Sequence, residues 1–330
     1  MKILEICSEP PSHASGIGRS VQVESEGLRK LGHDVDVLFP RLRLGEFKFS
    51  WIPARRYPTY DIVHIHGPTP FLSDATLLTN LGLPLVYTHY AEVCFFSSSL
   101  SRTYTSLHRS LAARTTRVIV WTYDYAHLFK NGATVIRPPV GFSPTRNPPT
   151  KRDQFTALYV GQLRPFKGVD VIIRAARLIP EVEFWIVGEG WYRDALLARA
   201  ARCRNVTFLG PVYDDTRLAS LYQQAHAVVL PSLNTMEAYG LVAIEGAVFG
   251  CVPVASNLLG VRENLAQLDG VTFSLGSDAE LAATLDGFQR NPRTWRDRSE
   301  RTRARAREYT ERHTIDSYAK DHLEVFRDLA

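Results

Sequence analysis

From Gln154 to Gly250 the chain alternates between short apolar runs of β type and longer amphipathic runs of helix type. The runs fall at 155–160, 168–178, 182–187, 190–203, 205–209, 214–224 and 227–230, strand and helix in turn. Parallel neighbours need a crossover of about a dozen residues, which a helix supplies. The alternation therefore predicts a parallel sheet with helices on both faces. An earlier stretch has the same grammar. Lys2–Cys7 reads as a strand, a helix follows to about Leu31, and Gly32-His33 stops it before a strand at Asp34–Phe39. Further strands are expected at Asp61–His66, Pro84–Tyr87, Val118–Trp121 and Thr134–Ile136, with a helix over Ser97–Arg117. Between the two stretches, Arg137–Thr150 holds five prolines and no apolar period, which reads as a linker. A chain of 330 residues is long enough for two such domains.

Within the later stretch, Glu237-Ala-Tyr-Gly-Leu-Val-Ala-Ile-Glu245 follows an apolar run and enters a helix of small residues that ends near Gly250. Gly240 permits a sharp turn and close approach of a ligand to the backbone. The amides of Leu241 and Val242 then lie free at a helix N-terminus, where a phosphate is a favoured guest. Glu237 stands just outside that helix and Glu245 inside it, so a carboxylate on each side of the anion can accept hydrogen bonds from hydroxyls. A bare Glu…Glu spacing is more often a solvated helix face, and glycosidase carboxylates are defined by separation across a sugar rather than by spacing. The surrounding loops decide between these readings. Val160-Gly-Gln-Leu-Arg-Pro-Phe-Lys-Gly168 leaves a strand and enters a helix, placing Gly161, Arg164 and Lys167 where an anion would sit.

Glu-x-Tyr-Gly-Leu-x-x-Ile-Glu resembles the signature of the retaining glycosyltransferases of family four, and the resemblance runs from Met1 to at least Glu263. It implies an α/β, GT-B architecture: two Rossmann-like domains facing across a cleft. The expected boundaries are an acceptor domain at 1–145, a linker at 146–153, a donor domain at 154–312, and a helix at 313–330 crossing back to the first domain. By the same resemblance, Gly16 keeps a backbone contact to the donor diphosphate, with Ser15 at the position of the family's preceding glycine. His89, at a strand end, faces the sugar, while His64 and His66 are structural. Val212, in Phe208-Leu-Gly-Pro-Val212, contacts the base, and Tyr239, Gly240, Leu241 and Val242 belong to the donor site. Glu245 holds ribose hydroxyls and Glu237 hexose hydroxyls. The family's Gly-Arg-Leu followed by Lys-Gly is met by Lys167. Gln162 stands at the family's arginine position, and Arg164 is expected to supply the missing charge. In Val254–Glu263, Leu259 replaces the first glycine of the family's late motif.

The resemblance thus implies metal-independent, retaining transfer of a hexose from a UDP- or GDP-sugar to a glycan, a lipid-linked sugar or a small molecule. An epimerase of the same fold, or a sugar-nucleotide-binding protein without turnover, is the alternative. A nicotinamide enzyme is disfavoured because Gly16-Ile-Gly18 does not complete the dinucleotide fingerprint. No paired aspartates suggest a catalytic metal, and no cofactor is expected. The scattered Cys7, Cys94, Cys203 and Cys251 fit a reducing compartment. Met1-Lys2-Ile3-Leu4 enters a strand without a leader pattern, and no apolar run reaches the length of a membrane span, so a cytoplasmic location is expected. Residues 1–150 hold 16 Lys and Arg against 11 Asp and Glu, while the remainder holds 23 of each. That basic half suits an anionic partner such as a phosphorylated acceptor, a lipid head group or nucleic acid; with the resemblance in hand, no nucleic-acid partner is expected. The basic, aromatic stretch 41–60 and the basic helix at Ser97–Arg117 are candidates for peripheral contact with the inner face of an anionic membrane. A surface loop and a solvated helix face are their plainer readings.

Overall fold

The computed structural model describes residues 1–9, 16–40, 42–44, 47–49, 59–78, 82–94, 98–144 and 149–329. It forms two compact units, Met1–Pro139 with His313–Ala330, and Val140–Arg312. The first contains β1 (Lys2–Ile6), α1 (Gly16–Lys30), β2 (Asp34–Leu38), β3 (Leu42–Leu44), β4 (Phe47–Phe49) and β5 (Ile62–Gly67). It continues with α2 (Leu72–Leu78), β6 (Leu85–His89), α3 (Ser98–Thr115), β7 (Arg117–Val120), α4 (Tyr123–Ala126) and β8 (Thr134–Val135). Six strands pair in parallel in the order β2-β1-β5-β6-β7-β8. The stretch 41–60, read from sequence as irregular, contains β3 and β4 paired antiparallel. Leu-Arg-Leu and Phe-Lys-Phe alternate with the two-residue period of a strand, a signal too short to stand out in a basic, aromatic segment. Arg41, Trp51, Arg55, Arg56 and the loop position Ser15 lie outside the described residues.

The second unit runs β9 (Thr156–Val160), a 3-10 turn (Pro165–Lys167), α5 (Val169–Leu178), β10 (Glu183–Val187), α6 (Arg193–Ala200), β11 (Val206–Gly210) and α7 (Asp215–Gln224). It continues β12 (Ala227–Leu230), α8 (Leu241–Val248), β13 (Val252–Ser256), α9 (Val261–Gln267), β14 (Val271–Phe273), α10 (Asp278–Arg290) and α11 (Pro292–Arg312). Its sheet is also parallel and six-stranded, in the order β11-β10-β9-β12-β13-β14. Strands buried on both faces carry continuous apolar runs, as Ala-Val-Val-Leu of β12 does. Val169, Ile172, Ile173 and Ala176 of α5 pack on Phe184 and Ile186 in the core of this unit.

Two features tie chain segments to their units. Lys151, within the expected linker, is drawn into the second unit, where its ammonium donates to the carbonyls of Tyr222, Ala225 and Phe249 at 3.2, 2.5 and 2.8 Å. These carbonyls end α7 and α8, where helix dipoles favour a cation. α12 (Ile315–Arg327) packs on α1 in the first unit. The contact is close at Gly27, where an added Cβ would lie 2.6 Å from the Cβ of Ala319. Nearby, Ser20 Oγ and the Tyr318 hydroxyl share a hydrogen bond of 2.9 Å.

Gly287 offers the opposite case. It is exposed inside α10, and a Cβ built there meets nothing within 4 Å. Gly287→Ala removes backbone freedom from the unfolded chain at no steric cost, so stability should rise by about 0.5–1 kcal/mol. Thermal unfolding monitored by circular dichroism would read this as a gain of roughly 2 °C.

Candidate functional site

In the second sheet the strand order reverses at β9 and β12: β10 and β11 extend to one side, β13 and β14 to the other. Open α/β sheets leave a crevice at such a point, beyond the carboxyl ends of the strands. The loop after β9 carries Arg164 and Lys167, and the loop after β12 carries Glu237 and Gly240. Adjacency of two strands thus brings together two motifs about seventy residues apart in sequence.

The loops are held in contact along their length. Gly168 adopts φ +71°, and a Cβ there would stand 1.9 Å from the Pro231 carbonyl oxygen. Only glycine allows that approach without displacement. The Leu233 amide donates to the Phe166 carbonyl at 2.7 Å. Lys167 Nζ donates to Glu237 Oε2 at 2.6 Å, and Ser232 Oγ donates to the same oxygen at 3.3 Å. Glu237 Oε1 has no partner among the described residues. Both charged side chains are about one-fifth exposed, 21% for Lys167 and 16% for Glu237, so the pair remains reachable by a ligand. Below it, the buried Tyr159 hydroxyl donates to the Gln162 carbonyl at 2.8 Å. Burial, then the nearby Glu237 charge, raise the Tyr159 pKa and keep the phenol protonated as a donor.

Gly240, at φ +75°, caps the N-terminus of α8 in the left-handed conformation. Among the described residues no acceptor takes the amides of Leu241 or Val242. These are orphan donors of a helix start, and the loop that leads into them carries Glu237, the partner of Lys167. Arg164 is half-buried at the start of the 3-10 turn, with no ion pair or side-chain hydrogen bond among the described residues. Gln162 is exposed. Gly161 follows β9 directly, its amide donating to Val187 at 3.0 Å.

The remaining residues are positioned differently. Glu245, one turn into α8, is buried and accepts from the Tyr222 hydroxyl at 3.1 Å. Tyr239 is buried, its hydroxyl bonded to that of Tyr309 on α11 at 2.6 Å. Its side chain anchors the loop, and the Asn264 amide group donates to its carbonyl at 2.6 Å. Val212 is half-buried in the loop after β11, beside the exposed Tyr213 whose hydroxyl donates to Glu189. Sequence reasoning passed over Ser232, Asn264 and Tyr222. Asn264 had a signal, one turn beyond the Gly260 of the late motif; Ser232 and Tyr222 had none, since their roles exist only through packing.

Gly16 and His89 belong to the first unit. Gly16 opens α1 and is exposed. His89 ends β6, its Nδ1 3.2 Å from the Tyr87 hydroxyl and its Nε2 buried without a hydrogen-bond partner among the described residues. Burial, reinforced by His108 and Arg109, lowers its pKa to about 3. An unfolded imidazole titrates near ~6.5. Between these values the unfolded chain binds a proton that the folded chain refuses. The stability from this group is therefore complete above about pH 6.5 and is lost as pH falls toward 3. At pH ~5 the loss is about 2 kcal/mol. Urea unfolding of His89→Gln should show that much less destabilisation between pH ~6.5 and ~5 than the parent chain; an unchanged slope would mean that the ring is charged in the fold.

Comparison with known proteins identifies the fold and the family. The fold is the α/β GT-B fold of glycosyltransferase structures. Sucrose-phosphate synthase from Thermosynechococcus elongatus aligns with a TM-score of 0.79 at 18% identity, covering 100% of this chain and 99% of that one. Anabaena HepE, solved in complex with UDP-glucose, aligns at 0.75 and 19% identity over 100% of both chains. The chain belongs to the glycosyl transferases group 1 family, whose pattern matches residues 144–311. Among curated relatives, the D-rhamnosyltransferase WbpZ of Pseudomonas aeruginosa is 28% identical over 240 residues, 68% of this chain and 62% of that protein. The D-inositol 3-phosphate glycosyltransferase of Mycobacterium bovis is 33% identical over 144 residues, 41% of this chain and 29% of that protein. The chain thus spans less than two thirds of the length of either relative. No described helix is long and apolar enough to cross a membrane.

Proposed function

We propose that this chain transfers a hexose from a nucleoside-diphosphate sugar to an acceptor hydroxyl, with retention at the anomeric carbon and without a catalytic metal. The observation that carries the reading is the contact between the loop after β9, which holds Arg164 and Lys167, and the loop after β12, which leads through Glu237 into the N-terminus of α8. As the anomeric carbon–oxygen bond breaks, the nucleoside diphosphate leaves with the electron pair, the acceptor oxygen bonds to the carbon, and the acceptor's hydroxyl proton passes in the net reaction to the departing diphosphate. Negative charge grows on the departing oxygen, where preorganised donors stabilise it. Lys167 and Arg164 supply the positive charge that a metal ion gives in other phosphate sites. Glu237, fixed by Lys167 and Ser232, offers Oε1 to sugar hydroxyls, and Glu245 takes the ribose side. HepE with UDP-glucose and the rhamnosyl- and inositol-phosphate transferases among the relatives support a nucleotide-sugar donor and a hydroxyl acceptor. The positive excess of residues 1–150 favours an anionic acceptor, with a cytoplasmic site of action at or near an anionic membrane.

The test is a panel of UDP-, GDP- and ADP-sugars, read first by thermal shift, since a ligand of the folded state raises Tm. The donor that binds is then incubated with candidate acceptors, with and without brief exposure to EDTA, and the product anomer is assigned by NMR. Product of retained configuration, formed equally in both, is expected. Interconversion of the donor without acceptor would make the chain an epimerase, and binding without turnover would make it a carrier. Arg164→Ala should lower turnover by about 10-fold to 100-fold, the cost of losing one charged donor at a growing anion. Unchanged kinetics would return the role to Gln162 or to no side chain.

A further inference from the structure

The first unit contains a cluster of ionisable side chains that the transfer reaction does not use. Glu5 of β1, Glu24 of α1, His64 and His66 of β5 and His322 of α12 are all 1% exposed or less. Glu5 and His64 are register partners on adjacent strands, and His66 lies two residues further along the same face. That face begins apolar, with Ile3 and Ile62 packed against Leu323 and Phe326 of α12, and turns polar only at its carboxyl end. One donor atom from each of Glu5, Glu24, His64 and His66 lies within 4.8 Å of every other.

Each imidazole has one nitrogen tied outward and the other turned inward. His64 Nε2 pairs with the Thr88 hydroxyl and His66 Nδ1 with the Tyr90 hydroxyl, both at 2.7 Å. His322 Nδ1 donates to the Tyr318 carbonyl at 2.8 Å, which leaves the lone pair of the neutral ring on Nε2. The inner nitrogens meet carboxylate oxygens: His64 Nδ1 is 2.8 Å from Glu24 Oε1, and His322 Nε2 is 3.5 Å from Glu24 Oε2. Glu5 Oε2 accepts from Ser25 Oγ at 2.6 Å, while Glu5 Oε1 and His66 Nε2 are buried without a hydrogen-bond partner among the described residues. Outer hydrogen bonds that orient the imidazoles and Glu5, while Glu5 Oε1 and His66 Nε2 stay unsatisfied within, are how proteins prepare a metal site. Lone pairs converging in a dry interior repel one another unless a cation stands among them.

We propose that Glu5, Glu24, His64 and His66 form a buried structural site for a divalent ion of the zinc class, with His322 as an adjoining fifth group. Two imidazoles and two carboxylates suit a borderline-soft ion, and four protein ligands leave no open position for catalysis. Two carboxylates also balance a 2+ charge, so the filled site is neutral. Ligands bound at ~2.0–2.2 Å in a tetrahedron lie about 3.3–3.6 Å apart, so a pair at the 4.8 Å limit of the empty cluster closes by about 1.3 Å on filling. The ion would join β1, α1 and β5 beneath α12, and the site is independent of the donor chemistry in the second unit.

The experiment uses the full chain without a polyhistidine tag, grown with added zinc, cobalt and manganese. Elemental analysis after exhaustive dialysis should find about one zinc per chain. Protein unfolded in EDTA and refolded metal-free should gain roughly 8 °C in Tm when free zinc exceeds its Kd about a thousandfold. Co2+ in place of zinc should give the visible bands of a tetrahedral nitrogen–oxygen site without thiolate charge transfer. Glu5→Gln, which keeps the side-chain volume and the Ser25 contact, and His66→Gln should each lose the ion and the bands. Wild-type protein that retains no zinc and shows no shift overturns the site and makes the cluster a proton-sharing network. Equal zinc binding in parent and variants also overturns it, by placing the ion elsewhere. If His66→Gln fails to fold, the wild-type stoichiometry and Co2+ spectrum still decide.

Discussion

Lys167→Ala should lower turnover by roughly 10²- to 10³-fold with a smaller change in donor affinity, because in the proposed reaction its ammonium stabilises charge that appears only as the diphosphate departs. The position of the side chain sets this size. Lys167 closes the 3-10 turn after β9, and its Nζ lies 2.6 Å from Glu237 Oε2 at a crevice where the α8 amides are open. Removing it takes away a charged donor and also frees Glu237 from the contact that orients it. Ser232 would then be the side chain left on that oxygen. The fold should tolerate the change. A partly exposed ion pair contributes about 0–1 kcal/mol, so Tm should move by no more than about 3 °C. Steady-state kinetics of donor consumption with a saturating acceptor check the prediction. Turnover within about threefold of the parent would remove Lys167 from the reaction.

Gly168→Ala should be the most destabilising single methyl group in the site. The residue sits at φ +71°, where an L side chain costs about 1–2 kcal/mol. Its Cβ would also stand 1.9 Å from the Pro231 carbonyl oxygen. Backbone cannot swing aside as a flexible side chain can, so the loops after β9 and β12 must part, at a further ~1–3 kcal/mol. The expected loss is roughly 2–5 kcal/mol, read by urea unfolding. Parting the loops also pulls Lys167 from Glu237, so activity should fall more than stability alone explains. A loss below about 1 kcal/mol would show that the two loops do not meet as described.

The periodicities of the sequence carried most of the architecture. Strand and helix runs from Thr156 to Leu230 lie within a few residues of where the sequence put them, because buried parallel strands are continuously apolar and their crossover helices amphipathic. The β3–β4 hairpin was missed because three-residue strands give too short a period. At the site, Gly240 and Lys167 were legible as local features, a turn residue and a cation at a helix entry. Tyr239 was legible as part of a motif but not as an anchor bonded to Tyr309, since nothing near it in sequence names a partner on α11.

Local order along the chain thus determined the two parallel α/β units and their strands. Tertiary structure alone decided that the loops after β9 and β12 touch, because strand order within a sheet depends on which faces must be buried together rather than on order in the chain. It alone decided that Glu5, Glu24, His64, His66 and His322, drawn from two strands and two helices up to about three hundred residues apart, would converge in one dry interior. An isolated histidine or glutamate in a sequence reads the same whether it is solvated or buried against four others. Burial and convergence, which give such groups their chemistry, are properties of the packed core.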